Sequence, residues 1–211
     1  MNLTNYYWYF QSAIPERVCD DIVRYGKQLQ DQMAVTGGFS RSGKNLTEKN
    51  IKDLKKKRNS DIVWMNDRLI YREIQPYVHQ ANANAGWNFQ WDFSESWQFT
   101  KYEKGQFYDW HCDGWERPYI RENPNAPDHG KIRKLSVTVT LSDPKDYKGG
   151  ELEFDFRNLD PDKKPNIKKC TEILPKGSLV VFPGFVWHRV CPVKSGERNS
   201  LVIWNLGWPY K

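Results

Sequence analysis

RKLSVTVTLS (133–142) is the segment that indicates the fold of this chain most directly. Four apolar residues, from Leu135 to Leu141, alternate with serine and threonine. Because side chains two residues apart point to the same face of a strand, the apolar ones share one face and the hydroxyls share the other. The segment therefore predicts a strand with one buried face.

Upstream of this strand, apolar spacing indicates helices. One helix is predicted from about residue 12 to residue 33, and a second from about 61 to 83 with Pro76 bending or interrupting it. The aromatic run Tyr6–Phe10 predicts a short strand, and the polar, basic residues 37–59 predict a loop or flap. The N-terminal part is thus expected to be mainly helical.

From Trp87 onward the apolar residues recur with a period of two, which is typical of strands. Further strands are predicted at 151–155, 178–182, 189–192 and 200–206. Two helices followed by about eight short strands fit an α+β fold with a double-stranded β-helix, or jelly-roll, core. We expect one domain over residues 1–211, with helical support at about 12–84 and the jelly-roll core at about 87–208.

The composition indicates a folded protein outside the membrane. Only 38% of the 211 residues are apolar, but 15% are Trp, Tyr or Phe, which bury a large area per residue. No apolar run reaches the roughly 18 residues of a membrane span, and the N-terminus lacks a signal-peptide pattern. A soluble, cytoplasmic protein without a membrane partner is expected, and its four cysteines, none in a CxxC pair, are expected to be reduced thiols.

The net charge of +6 permits an acidic partner without requiring one. The excess of basic residues is concentrated in KNIKDLKKKR (49–58), where a solvated helix face is the simpler interpretation. Nucleic acid is therefore a possible partner that the sequence does not favour. His79 and His129 have no partner at ligand spacing and are interpreted as structural histidines.

His111 and Asp113 are two residues apart, so on a strand both side chains reach the same face while Cys112 points away. A third ligand has to come from another strand, and His188 follows an apolar strand that ends near Gly184. Two imidazoles and one carboxylate are the facial triad of non-haem Fe(II) oxygenases, which leaves three coordination positions open. Zinc could also bind this set. An isolated HxD pair is common, so the inference depends on the order of all the motifs together.

Arg198 offers a planar guanidinium that matches a carboxylate, and Ser200 lies on the same face of the same strand. Tyr102, which lies just before the His111 strand, is a candidate second donor. These three residues predict a clamp for the distal carboxylate of 2-oxoglutarate. A zinc site would leave Arg198 unexplained.

The chain resembles the Fe(II)/2-oxoglutarate dioxygenase superfamily, specifically its prolyl 4-hydroxylase-like branch with bacterial and phage members. The resemblance covers about half the chain, from Trp97 to Trp208. It is carried by WQFTKYEKGQFYDWHCD (97–113), RKLSVTVTLS (133–142), GGELEF (149–154) and KGSLVVFPGFVWHRVCPVKSGERNSLVIWNLG (176–207).

The resemblance implies that His111, Asp113 and His188 bind iron and form the catalytic centre. It also implies that Arg198 and Tyr102 bind 2-oxoglutarate. Animal collagen-type enzymes have lysine where Arg198 stands, so this chain looks closer to the microbial, arginine-using members. The implied cofactors are Fe(II), 2-oxoglutarate, O2 and ascorbate, and the implied reaction is hydroxylation of a C–H bond with release of succinate and CO2.

The leading hypothesis for the substrate is a prolyl residue in a peptide or protein, since the branch is prolyl 4-hydroxylase-like. The aromatic, proline-bearing loop 115–127 could cover an extended peptide, and Trp110, Trp115 and Tyr119 could pack on proline rings or anchor loops. Trp204 could line the cavity or belong to the core. The alternatives are an oxygenase acting on nucleic acid or on a free amino acid or other small molecule, and a non-catalytic binding module.

Overall fold

The computed structural model describes residues 3–29, 32–33, 48–114, 117–157, 160 and 162–210. Within them lie three α-helices, α1 (Glu16–Gln28), α2 (Glu48–Lys57) and α3 (Arg68–Asn84), and a 3-10 turn at Thr171–Ile173. The strands are β1 (Trp8–Phe10), β2 (Gln32–Met33), β3 (Arg58–Asn59), β4 (Asp61–Met65), β5 (Phe93–Ser94), β6 (Trp97–Tyr102), β7 (Phe107–His111), β8 (Ile132–Thr140), β9 (Tyr147–Gly149), β10 (Leu152–Asp155), β11 (Ile167–Lys169), β12 (Leu179–Pro183), β13 (Trp187–Val190), β14 (Val193–Gly196) and β15 (Arg198–Gly207).

These strands form two large sheets and one small sheet. The major sheet has the order β1-β12-β8-β15-β6-β4-β2, with β5 beside β15; the minor sheet has the order β11-β10-β13-β7-β3, and β14 pairs with β9. Every pairing among the described residues is antiparallel. The predicted α+β class, with few helices and many antiparallel strands, is confirmed.

The apolar face of β8 is covered by helices. Leu135, Val137 and Val139 pack in one core cluster with Ile22 of α1 and Ile74 of α3. Complete burial of such side chains stabilises the fold by roughly 1.5–3 kcal/mol each. The predicted strand is confirmed, and helices cover its apolar face. The expectation of a single buried face was wrong, because Ser136, Thr138 and Thr140 on the other face are also buried, toward the minor sheet.

The opposite face of the major sheet packs against the minor sheet. Phe182 of β12 and Phe154 of β10 meet edge to face, with ring centroids 5.1 Å apart. Both are in a second core cluster, which also contains Tyr102 and Val190. This space between the sheets is where the inward side chains of β7, β13 and β15 converge.

A one-residue bulge interrupts the pairing of β8 with β15. Asn205 is opposite Leu135, but the next residue, Leu206, is opposite Arg133, so Lys134 is the extra residue. Regular alternation would place Arg133 on the helix-covered face with Leu135. The bulge instead turns its guanidinium toward the space between the sheets.

The first predicted helix was too long, and the first strand was shorter than predicted. Helix α1 begins after Pro15, which is favourable at a helix start, and ends at Gln28; residue 29 is already extended. Residues 32–33 pair with β4 in place of continuing the helix. The predicted strand at Tyr6–Phe10 is confirmed only at Trp8–Phe10.

The second predicted helix was wrong at its start. Asp61–Met65 is strand β4, and the helix begins only at Arg68, where the Asp67 carboxylate accepts a hydrogen bond from the Leu69 amide. Ile62 and Met65 are buried as expected, but on a strand, because pairing with β6 outweighs the helical spacing. Pro76 lies inside α3, which continues past it.

The loop predicted at residues 37–59 was wrong where the structure describes it. Residues 48–57 form helix α2 and 58–59 form β3; residues 37–47 lie outside the described part of the chain. Where the period of two begins, at residues 87–94, only Phe93–Ser94 is a strand; the aromatic residues that follow lie on β6 and β7, as expected. None of the helices in the described ranges is both long and apolar enough to cross a membrane. All four cysteines are free, as predicted.

Candidate metal centre

Two neighbouring strands of the minor sheet bring the predicted triad together. His111 ends β7 and pairs directly with His188 of β13, while Asp113 follows two residues later, its amide bonded to the Gly184 carbonyl at 2.9 Å. The Asp113 carboxylate lies 3.7 Å from His111 Nε2 and 3.5 Å from His188 Nε2. All three side chains are buried, and their ligand atoms lie within 4.8 Å of one another. The sequence placed His188 after a strand, whereas it lies within one.

The hydrogen bonds of the two histidines direct a nitrogen of each toward a shared point. His111 Nδ1 lies 2.7 Å from the Asp109 carbonyl and His188 Nδ1 lies 3.0 Å from the Val186 carbonyl. Because a carbonyl only accepts, each Nδ1 carries the proton and each Nε2 keeps a free lone pair. Almost every metal-ligating histidine donates such a hydrogen bond from its other ring nitrogen. The donor set therefore fits a divalent metal ion.

Burial and charge keep the triad in the protonation state that a metal requires. Burial lowers the pKa of His111 well below 6.5, and the neighbouring His188 lowers it further. Burial alone would raise the pKa of Asp113, but the two imidazoles and the Arg133 guanidinium outweigh it and bring that pKa to about 2. A neutral imidazole beside an ionised carboxylate is what ligation of a divalent cation needs.

The depressed pKa of His111 predicts a stability change in mildly acidic solution. Below about pH 6.5 the unfolded chain binds a proton that the folded chain does not, so the free energy of unfolding of metal-free protein should fall with pH, by up to about 1.4 kcal/mol per pH unit. Urea unfolding at pH 7 and pH 5.5 measures this. His111→Gln should reduce the pH dependence of the free energy of unfolding. His79 is exposed, and His79→Gln should leave that dependence as in the wild type. Equal slopes in all three proteins would contradict the assignment.

Sequence reasoning missed two residues behind His111. The Tyr108 ring stacks on the His111 ring with centroids 3.5 Å apart, and the buried Arg58 guanidinium lies 4.4 Å from the Tyr108 centroid. Tyr108 is opposite Val190 while His111 is opposite His188, so the register shifts between them. Regular alternation would put residues three apart on opposite faces, and nothing in the sequence indicated the irregularity.

Arg198 is a buried cation without a counter-ion. Its side chain is 2% exposed, its Nη1 donates to Ser200 Oγ at 3.2 Å, and its Cζ lies 5.5 Å from the centre of the Tyr102 ring, directly across the strand pair. Among the residues that the structure describes, no carboxylate lies within ion-pair distance of it; the adjacent Glu197 pairs with Lys27 at 2.7 Å. The structure thus brings Arg198, Ser200 and Tyr102 together, as predicted.

An unpaired guanidinium in this position points to a missing anion. Leaving a buried charge uncompensated costs several kcal/mol, and such groups are normally paired. Arg198 begins β15, the strand that also carries Trp204 on the same face. A carboxylate bound to Arg198 would therefore lie in the space between the sheets that the triad faces.

Trp204 and the re-aimed Arg133 form another wall of this space. The Arg133 guanidinium lies 3.8 Å from the Trp204 ring and makes a two-point ion pair with Glu95, at 2.9 and 2.6 Å. Tyr119 donates to the same carboxylate at 3.1 Å. The Trp204 indole N–H is directed toward the triad, since it helps to lower the pKa of the Asp113 carboxyl, while the Ser136 hydroxyl has no hydrogen-bond partner within the described residues. Trp204 is buried and lies beside the triad in the space between the sheets.

The other aromatic candidates fall in different places. The Arg189 guanidinium carbon lies 4.7 Å from the centre of the Trp110 ring. Trp110 comes just before His111 and Arg189 just after His188, so strand alternation turns both side chains away from the triad. Trp115 lies outside the described residues. Tyr119 alone of the three contacts the walls of the site.

Gly114 permits the close approach that places Asp113. A methyl group on Gly114 would lie 2.4 Å from the Arg133 carbonyl, a backbone atom that cannot move freely. Gly114→Ala should therefore destabilise the protein by about 1–3 kcal/mol and weaken metal binding. Urea unfolding and a Co(II) titration measure the two effects. Gly105→Ala meets nothing within 4 Å but has a φ of +82°, so it should cost stability through backbone strain and leave the Co(II) affinity unchanged. Equal Co(II) affinities for both variants would contradict the role of Gly114.

Comparison with known proteins places this geometry in a family. A sequence model of the 2OG-Fe(II) oxygenase superfamily matches residues 97–205. A PKHD-type hydroxylase of Xylella fastidiosa is 34% identical over 110 residues, which is 51% of this chain and 42% of that protein. A PKHD-type hydroxylase of Shewanella baltica is 37% identical over 107 residues, 50% of this chain and 40% of that protein. The chain thus spans less than half the length of these relatives.

Among solved structures, the viral collagen prolyl hydroxylase of Paramecium Bursaria Chlorella virus-1 in complex with 2OG superposes with a TM-score of 0.62. It is 20% identical, and the match covers 97% of both chains. At 20% identity, the similarity shows a shared fold alone. The predicted resemblance to the Fe(II)/2-oxoglutarate dioxygenase superfamily is confirmed.

Proposed function

The chain belongs to the 2OG-Fe(II) oxygenase superfamily, and we propose that it is a hydroxylase that uses Fe(II), 2-oxoglutarate and O2 to convert a C–H bond to C–OH, releasing succinate and CO2. The observation that carries the proposal is the buried His111–Asp113–His188 set together with a buried, uncompensated Arg198. We further propose that residues 1–211 act as one domain and that the two facing sheets form a double-stranded β-helix, or jelly roll.

Each site residue has a distinct proposed role. His111 and His188 would ligate iron through Nε2, and Asp113 would supply the anionic ligand. Arg198 would pair with the distal carboxylate of 2-oxoglutarate, with Ser200 and Tyr102 as hydrogen-bond donors. The Ser200 hydroxyl accepts a hydrogen bond from Arg198, which leaves its own O–H available to donate to the carboxylate.

The bound iron and cosubstrate would supply the activation of O2 and the oxidising power for the C–H bond. The protein contributes the rest. The Nδ1–carbonyl bonds fix both imidazole rings, the apolar cluster with Phe154 and Phe182 excludes water from the back of the site, and the fixed Arg198 sets the orientation of the cosubstrate. Ascorbate would serve as the external reductant that keeps the iron ferrous.

The substrate that we propose is a prolyl residue in a peptide or protein. The support is the family, together with the aromatic side chains of Trp204 and Tyr119 near the triad, because aromatic faces are the usual contact surface for proline rings. The loop that carries Tyr119 is held as a defined turn by a pair between Arg121 and Asp128. Because this loop is already ordered before a peptide binds, binding costs it little conformational entropy.

The proposal is tested by incubating the full chain with Fe(II), 2-oxoglutarate, ascorbate and a panel of proline-containing peptides. We expect a mass gain of one oxygen on the peptide, with succinate formed in equal amount. Asp113→Asn should give neither product. Succinate without peptide oxidation across the panel would overturn the prolyl substrate, and absence of both products despite bound iron and cosubstrate would overturn the hydroxylase.

A further inference from the structure

A second concave surface lies beside the C-terminal end of β15. This C-terminal groove has a volume of about 920 Å³ and is lined by residues 88–92, residues 207–210 and Lys134. It is separate from the triad, since His111, Asp113 and His188 do not line it. The groove combines one cation with several aromatic side chains.

Lys134 is the polar group at the base of this groove. The residue is 4% exposed, and its ammonium lies 3.5 Å from the centre of the Tyr210 ring. No carboxylate in the described part of the chain lies within ion-pair distance of it. The one acidic residue of the groove, Asp92, already pairs with Lys131 at 2.7 Å. Burial lowers the pKa of Lys134, as expected for an ammonium ion without a counter-ion.

The walls of the groove are aromatic and open to a partner. Trp208 is 61% exposed and Tyr210 is 37% exposed, although both are large apolar side chains. Trp91 and Phe89 form the facing wall, and Trp91 is held in place by a stacked His79 ring 4.7 Å away. Grooves lined with aromatic rings bind proline-rich, extended peptides, which lose little entropy on binding.

We propose that the C-terminal groove docks an extended segment of the polypeptide acceptor, with an acidic side chain on Lys134 and proline rings on Trp208 and Trp91. The inference rests on the proposed function in taking the acceptor to be a polypeptide. The Lys134 ammonium would favour a peptide with an acidic residue, and the exposed aromatic rings would favour proline on either side of that residue. The groove would therefore recognise a part of the peptide sequence that lies some residues away from the residue that is oxidised.

The groove and the metal centre are joined by short stretches of backbone. The extended chain from Asp92 to Glu95 covers three residues, or about 10 Å, and Glu95 pairs with Arg133 in the wall of the site. The Lys134 carbonyl accepts from the Gly184 amide at 2.9 Å, and the Gly184 carbonyl accepts from the Asp113 amide at 2.9 Å. A peptide docked on Lys134 thus needs only a few residues to reach the site.

The test is a titration of the full chain, without iron or 2-oxoglutarate, with two matched peptides, Ac-PPDPP-NH2 and Ac-PPNPP-NH2. Binding is monitored by tryptophan fluorescence. The two peptides differ only in one charge. We expect the aspartate peptide to bind about tenfold more tightly, as for a partly desolvated charge pair. Lys134→Met keeps the aliphatic stem and should remove that preference, whereas Lys194→Met, an exposed lysine elsewhere, should keep it.

Trp208→Ala provides a second variant, because an exposed side chain near the end of the chain can be removed without loss of the core. It should weaken both peptides together and leave the charge preference intact. An unchanged preference in Lys134→Met, or no binding of either peptide by the wild type, would overturn the proposal. So would phenylacetate binding as tightly as the aspartate peptide, since the groove would then be a site for small carboxylates.

This experiment is independent of turnover. Peptide binding without hydroxylation would retain the groove and count against the prolyl substrate. Hydroxylation of proline peptides without any charge preference in binding would retain the proposed function and remove the groove.

Discussion

Asp113→Asn is expected to lower the affinity for Fe(II) by about 100-fold or more and to abolish 2-oxoglutarate turnover. Loss of a residue that merely supports a ligand costs roughly 10–100-fold in metal affinity, and Asp113 is the single anionic member of the set. The amide keeps the size of the side chain, so the substitution removes charge and little else. The carboxylate is buried against both imidazoles.

The metal affinity is measured by anaerobic titration with Fe(II) or Co(II). Turnover is then measured as succinate formed after air is admitted. Asp109→Asn is the matched control, because that side chain is exposed and only its backbone carbonyl contacts His111. It should bind metal as the wild type does. Wild-type metal affinity in Asp113→Asn would show that the triad had been misassigned.

Arg198→Met is expected to remove 2-oxoglutarate binding while leaving the metal-free fold intact or more stable. Truncating one partner of a buried, hydrogen-bonded charge pair costs about 2–5 kcal/mol, or roughly thirty- to several-thousandfold in affinity. In the absence of the anion, however, Arg198 is a buried charge with no carboxylate near it among the described residues, and replacing such a charge with an apolar side chain is often neutral or stabilising.

The two effects are measured together by thermal unfolding with and without 2-oxoglutarate and a metal ion. The wild type should be stabilised by 2-oxoglutarate, and Arg198→Met should lose that response without a lower Tm of its own. Arg198→Lys should restore part of it, since the charge remains and the planar fork is lost. Arg189→Met, on the outer face of the minor sheet, should respond as the wild type does. A full response in Arg198→Met would exclude it as the carboxylate clamp.

The parts of the site that follow strict alternation were predictable from the sequence. His111 with Asp113, and Arg198 with Ser200, are pairs two residues apart, and the structure brings each pair to one face. Nearby strands were recognised because Leu135 to Leu141 alternate cleanly. A period of two is a property of the chain itself and does not depend on what surrounds it.

What could not be predicted depends on contacts between distant segments. Residues 61–65 read as the start of a helix, and only pairing with β6 makes them a strand. Tyr108 behind His111, and Arg133 beside Trp204, reach the site through irregularities in strand pairing that leave no mark in composition. The pairing of Glu95 with Arg133 joins residues 38 positions apart and follows from the fold alone.

The bulge at Lys134 also bears on how relatives of this chain should be compared and how they diverge. A single inserted residue exchanges the surfaces to which Arg133 and Lys134 belong, while the metal ligands on β7 and β13 keep their places. An alignment without a gap here would match Arg133 to a residue that faces the helices in a relative with regular pairing. Insertion or deletion at this one position would therefore change both the cation beside Asp113 and the residue at the base of the C-terminal groove.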